Sequence, residues 1–148
     1  MMTRIQVVPS WRDSHSVGVD LLDHDHNIIL NTLGVLENEV VLGRRGDVGQ
    51  KIVTFLVDFT QEHFRREEQM MQHLDPAEID SHREAHQFFV GRLADRLSGF
   101  GIWREQDLNE LASLGAWFVQ HIEKEDRRHV HHHARMARMA EYQPPGPG

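Results

Sequence analysis

Cysteine is missing from this chain of 148 residues. That absence excludes iron–sulfur clusters, thiolate zinc sites, disulfides and thiol catalysis, so any transition metal has to be held by nitrogen and oxygen. Long apolar runs are missing as well. None approaches the roughly 20 residues needed to span a bilayer, and no membrane insertion is expected. A cationic surplus is lacking too, since the formal charge is −7. Nucleic acid and anionic lipid both need a basic surface that displaces counterions, so neither is an expected partner. The first residues carry a single base, Arg4, and an apolar stretch cut short by Pro9, which does not read as a secretory signal. A cytoplasmic location is the expectation.

What the chain does have is histidine, 12 residues of it, in a composition otherwise ordinary for one soluble domain: 39% hydrophobic and 26% charged. Imidazole suits iron, copper, zinc and nickel. The positions of the histidines therefore decide what the chain does.

Apolar residues at Leu22, Ile29, Leu30, Leu33, Leu36 and Val40 follow the three-and-four spacing of one helix face and predict a first helix over about 22–42, ended by Gly43 to Gly46. A second helix is expected over about 47–74, with Asp47 as N-cap and Ile52, Leu56, Phe59, Met70 and Leu74 facing inward. Asp75-Pro76-Ala77-Glu78 has the form of a helix start: a capping carboxylate, proline at the first helical position and glutamate three residues after the cap. That third helix should reach Ser98. Gly99 and Gly101 break the chain, and a fourth helix follows from about Arg104 to at least Arg128 on Leu108, Leu111, Leu114, Trp117, Phe118 and Ile122.

Four helices, short loops and no strand pattern predict an all-α fold, an antiparallel up-down-up-down four-helix bundle with an N-terminal arm. The expected domain is 1–140, with an irregular arm over 1–20 anchored by Trp11 and a bundle over about 21–130; 141–148 read as a flexible Pro/Gly-rich tail.

His82-Arg83-Glu84-Ala85-His86 sets two imidazoles four residues apart on one helix face, close enough to share an ion. Such a pair also arises by chance. His63-Phe64-Arg65-Arg66-Glu67 repeats the spacing with a carboxylate second, on the inner stripe with Phe59 and Met70, where a histidine and a glutamate are expensive to bury unless something ligates them. His26 lies four residues from Leu22 and three from Ile29, and His121 lies four from Trp117, so each helix contributes an inward imidazole. At about 1.5 Å per residue, antiparallel packing brings all of them to one layer near one end of the bundle.

With these pieces in place the sequence resembles the hemerythrin family, in particular its bacterial members. The matching segments are Val17-Gly18-Val19 with Asp23-His24-Asp25-His26, then His63 to Met70, then His82 to His86, then Trp117 to Asp126. The resemblance implies a centre of two iron ions with an oxo or hydroxo bridge. In it His82, His86 and His121 bind one iron, His26 and His63 bind the other, and Glu67 and Asp126 bridge the pair. Counting bonds on two six-coordinate irons leaves one position open, on the iron with two histidines, where dioxygen can bind. Ile29, Phe64, Trp117 and Phe118 are the expected lining of the oxygen pocket, with ordinary core packing as their other reading.

Two positions stay open. Asp126 lies five residues after His121, about 140° around an ideal helix, and shares its face only if the helix widens or ends there. Glu125 has the better ideal spacing, and Asp126 is preferred on resemblance. Asp25 reads as a solvated charge at a helix start, with a partner role toward a ligand as the other reading. His129, His131, His132 and His133 read as a solvated helix end, with an adventitious surface metal site as their other reading, and His15, His24 and His73 read as surface residues.

The function implied by the resemblance is reversible dioxygen binding, for carriage, storage or delivery, with an oxygen-consuming enzyme as a candidate protein partner. The chain is then not an enzyme. No Glu stands three residues before any His, the motif of the carboxylate-rich oxidative di-iron bundles. The alternatives are a freestanding sensor of oxygen, iron or nitric oxide acting through a partner, and a bundle that stores metal or uses zinc for structure.

Overall fold

The computed structural model describes residues 6–43, 47–72, 75–97, 105–131 and 135. Four helices dominate it: α1 Asp20–Val41, α2 Asp47–Met70, α3 Pro76–Leu97 and α4 Glu105–His121. Each packs on the next in sequence, and α4 closes back on α1, which makes a four-helix bundle. No strand occurs among the described residues. None of their helices is long and apolar enough to cross a membrane.

The helix ends follow local chemistry. Gly43 takes a φ of +63°, the left-handed turn that closes a helix, and its N–H donates to Val40 O (3.1 Å). The Asp75 carboxylate accepts the Ala77 N–H at 3.1 Å, and Pro76 occupies the first position of α3, as its sequence predicts. Helix α2 stops at Met70, short of the expected Leu74, because a Met71 N–H to Glu68 O bond tightens the chain into a turn. Leu74 itself, His73, Ser98, Arg104, His132, His133 and the tail 141–148 lie outside the described residues.

Beyond His121 the chain does not continue as an α-helix. Ile122–Asp126 form a π-helical turn, after which 127–131 are α-helical again. A π turn carries an extra residue per hydrogen-bonded loop and returns position i+5 to the face of position i.

The interior changes character along its length. Leu33, Leu36, Leu56, Phe89, Leu93 and Leu111 are fully buried, each contributing about 1.5–3 kcal/mol of burial. Around the opposite end, histidines and acids take the inner positions. The arm before α1 is tied across the bundle. Buried Glu37 accepts the backbone N–H groups of Val7 (3.0 Å) and Val8 (2.7 Å), and Pro9 lies so close to Gly115 that a Cβ there would sit 2.7 Å from its ring. Trp11 packs on the core, in line with the anchoring role expected of it.

Candidate metal centre

Helix α1 brings in His26 near its start, α2 brings His63 and Glu67 near its end, α3 brings His82 and His86 from its first half, and α4 brings His121 at its end. The π turn adds Asp126. These seven side chains meet in one buried layer, none more than 4% exposed.

Their arrangement has a division. Glu67 turns Oε1 toward His63 Nε2 (2.9 Å) and His26 Nε2 (3.1 Å), and Oε2 toward His86 Nε2 (3.3 Å) and His82 Nε2 (3.8 Å). Asp126 does the same from beyond the end of α4: Oδ2 faces His26 Nε2 at 3.3 Å, while Oδ1 faces His121 Nε2 at 3.0 Å and His82 Nε2 at 3.5 Å. The result is two sets of donor atoms, each set within 4.8 Å: His82, His86 and His121 with both carboxylates, and His26 and His63 with the same two carboxylates.

Electrostatics explains what such a cluster lacks. Among the described residues seven buried side-chain polar atoms have no hydrogen-bond partner, and five of them face one another here: His63 Nε2, Glu67 Oε2, His82 Nε2 and both oxygens of Asp126. Leaving such atoms bare in a dry interior costs about 1–3 kcal/mol each. Without an ion, protons compensate. Burial disfavours charge on His63, but Glu67, the Asp25 hydrogen bond and Asp126 outweigh it and raise the imidazole to about 10. His82 is likewise raised to about 9, burial being overcome by Asp126 and Glu67, and His26 is raised for the same reason. Burial pushes both carboxyls up, and the facing imidazoles more than reverse it, holding Glu67 and Asp126 well below the usual carboxylate range. The donor set, nitrogen-rich and anionic at once, fits one or more divalent ions.

A sequence model of the Hemerythrin HHE cation binding domain matches residues 17–131. The chain belongs to the hemerythrin family. Bacteriohemerythrin of Stenotrophomonas maltophilia (strain R551-3) is 26% identical over 120 residues, covering 81% of this chain and 78% of its own length. Bacteriohemerythrin of Methylococcus capsulatus (strain Bath) is 29% identical over 111 residues, covering 74% and 83%. Myohemerythrin-1 of Phascolopsis gouldii is 28% identical over 116 residues, covering 78% and 87%. Family membership and the buried donor cluster together give the centre a metal-binding, oxygen-related role.

For a hemerythrin domain, the surroundings of the cluster carry three departures from the sequence-based expectations. Asp25 is buried, not solvated: its Oδ2 lies 2.9 Å from His63 Nδ1 and accepts Arg66 at 2.8 Å. Its place at a helix start had suggested a dipole role, but it lies one residue before His26 on the inward side. His129 is buried as well, edge-on to His82 with ring centroids 4.8 Å apart, because the π turn rotates the following residues back toward the bundle. His15 is buried beside Trp11 and accepts the Arg12 N–H at 3.0 Å. His24 and His131 are exposed, as expected.

Glu68 was missed altogether. It lies 3.0 Å from His86 Nδ1 and accepts Arg83 at 2.9 Å, a role foreshadowed only by its standing directly after Glu67 and one α2 turn from Phe64. Of the expected pocket residues, Phe118 stands edge-on to His26 (5.6 Å) and near His63 (6.5 Å), and Ile29 is fully buried one turn along α1 from His26. Phe64 stacks on His86 at 3.7 Å. Trp117 stands on the three-histidine side, stacked on His121 at 4.8 Å.

Proposed function

We propose that this hemerythrin-family chain binds dioxygen reversibly at a di-iron centre, for oxygen carriage, storage or delivery, and is not an enzyme. His82, His86 and His121 hold one iron, His26 and His63 the other, and Glu67 and Asp126 bridge them. The observation that carries this reading is the split of each carboxylate, one oxygen toward each histidine group. Two ferrous ions held there would supply the two electrons that reversible dioxygen binding needs.

The protein's own residues do the rest. Asp25 and Glu68 accept from Nδ1 of His63 and His86, which fixes both rings with Nε2 aimed inward as the ligating nitrogen. Phe118 and Ile29 close the two-histidine side against water, and Phe64 covers His86. Five imidazoles against two carboxylates is a donor set poor in the anionic oxygen that favours high-valent iron, which speaks for binding over oxidation of a substrate.

Iron per chain and the visible spectrum through reduction and re-exposure to oxygen test the reading. Two irons per chain and a colour that returns with oxygen and fades on its removal are expected. One metal per chain, or no such colour, overturns it.

A further inference from the structure

His129, Glu125 and His82 form a second set of donors whose ligand atoms lie within 4.8 Å of one another. His129 Nε2 is 3.7 Å from Glu125 Oε2, and its ring meets the edge of His82. All three line a groove of about 490 Å³ between α3 and the end of α4, which also reaches His121 and Glu78. On its other side His129 lines a cleft of about 10 Å³ together with Glu67 and Asp126, no larger than one water. His129 therefore stands between open solvent and the bridging carboxylates.

We propose that His129, Glu125 and His82 are an entry site, at which a ferrous ion or another first-row divalent cation is captured from the groove and passed to the buried centre. Two imidazoles and a carboxylate suit such an ion, with water in its remaining positions. The proposal rests on the inner seven residues being the resident centre.

The shared residue explains the transfer. His82 belongs to both donor sets, so the two sites share a ligand residue and an ion moves inward by exchanging Glu125 and His129 for Asp126 and Glu67. Its Nε2 is also the loosest of the five, 3.5 Å from the nearest carboxylate oxygen where the others approach to 3.3 Å or less. Arg128 pairs with Glu125 at 3.1 Å, and its exposed guanidinium yields to an arriving cation. Once the centre is full, His82 is committed there, and the two donors left outside hold an ion only weakly. The step is ligand exchange alone, with no change of oxidation state.

The test is anaerobic ferrous uptake by the metal-free full chain, followed by trapping unbound iron with a chelator at set times. His129→Ala is expected to slow uptake about tenfold, the lower end of what losing a partner of a metal's ligands costs in affinity. Glu125→Gln, a half-exposed position that keeps the fold, is expected to slow it several-fold. Both variants should end on the wild-type iron content and visible spectrum. Wild-type uptake rates in both variants overturn the entry site alone, as does a lowered final iron content in the Glu125→Gln variant, which makes Glu125 part of the centre. A wild-type chain that takes up no iron overturns the inner centre and the entry site with it.

Discussion

Asp25 and Glu68 do the same task for different halves of the centre. Each carboxylate is clamped by an arginine, Arg66 or Arg83, and each faces the outward nitrogen of a histidine whose other nitrogen faces Glu67. A carboxylate behind an imidazole fixes its tautomer and raises its basicity, and losing one typically costs about 10–100-fold in metal affinity. Asp25→Asn keeps the shape and an acceptor but removes the charge. Competition with a chelator should then show about tenfold weaker binding of one of the two ions, since only His63 loses its partner's charge. Unchanged binding of both ions would make Asp25 a packing residue. The inward histidines were legible from sequence because a polar residue on an apolar stripe stands out. Asp25 and Glu68 were not, because each sits one step from that stripe among other charges, and only the packed neighbour helix decides whether such a residue is wet or buried.

At the scale of the element, the turn after His121 decides which acid enters the centre. An α-helix would bring Glu125 to the face of His121; the π turn over Ile122–Asp126 instead brings Asp126 there and leaves Glu125 with a side chain 45% exposed. Asp126→Ala is expected to drop the iron content from two per chain to one or none, and Glu125→Ala to leave it at two, both read by iron assay. The reverse pattern would mean the turn closes as an α-helix in solution. The same widening carries His129 inward, which no ideal periodicity predicts. The bundle was readable in advance because four stripes at helical spacing, a proline cap at Pro76 and a left-handed glycine at Gly43 each have a local cause. The π turn has none in the sequence; what it achieves is to set both Asp126 oxygens against the buried histidines of the other helices and of α4.

Taken as a whole molecule, the bundle has a dry apolar half and a charged half, and the second depends on what neutralises it. In the metal-free chain this is done by protons. His63 at about 10 and His82 at about 9 are raised above their unfolded value of 6.5, so their contribution is fully present below pH 6.5 and is lost as pH climbs toward 9 and 10. Glu67 and Asp126 are depressed below their unfolded values of 4.5 and 3.8, so theirs is present above those values and is lost as pH falls further. The metal-free protein should therefore melt highest between about pH 5 and 6.5 and lose melting temperature steadily from pH 7 to pH 10. Bound metal reverses the alkaline limb, because it needs the imidazoles neutral and replaces the protons as the positive charge between the acids. The loaded protein should hold its melting temperature across pH 7 to 10, stand above the metal-free form throughout that range, and release iron on acidification as the imidazoles take up protons again. Melting curves of both forms against pH check this: parallel curves, or equal melting temperatures at pH 8, would mean that the seven buried side chains fold without needing the metal they surround.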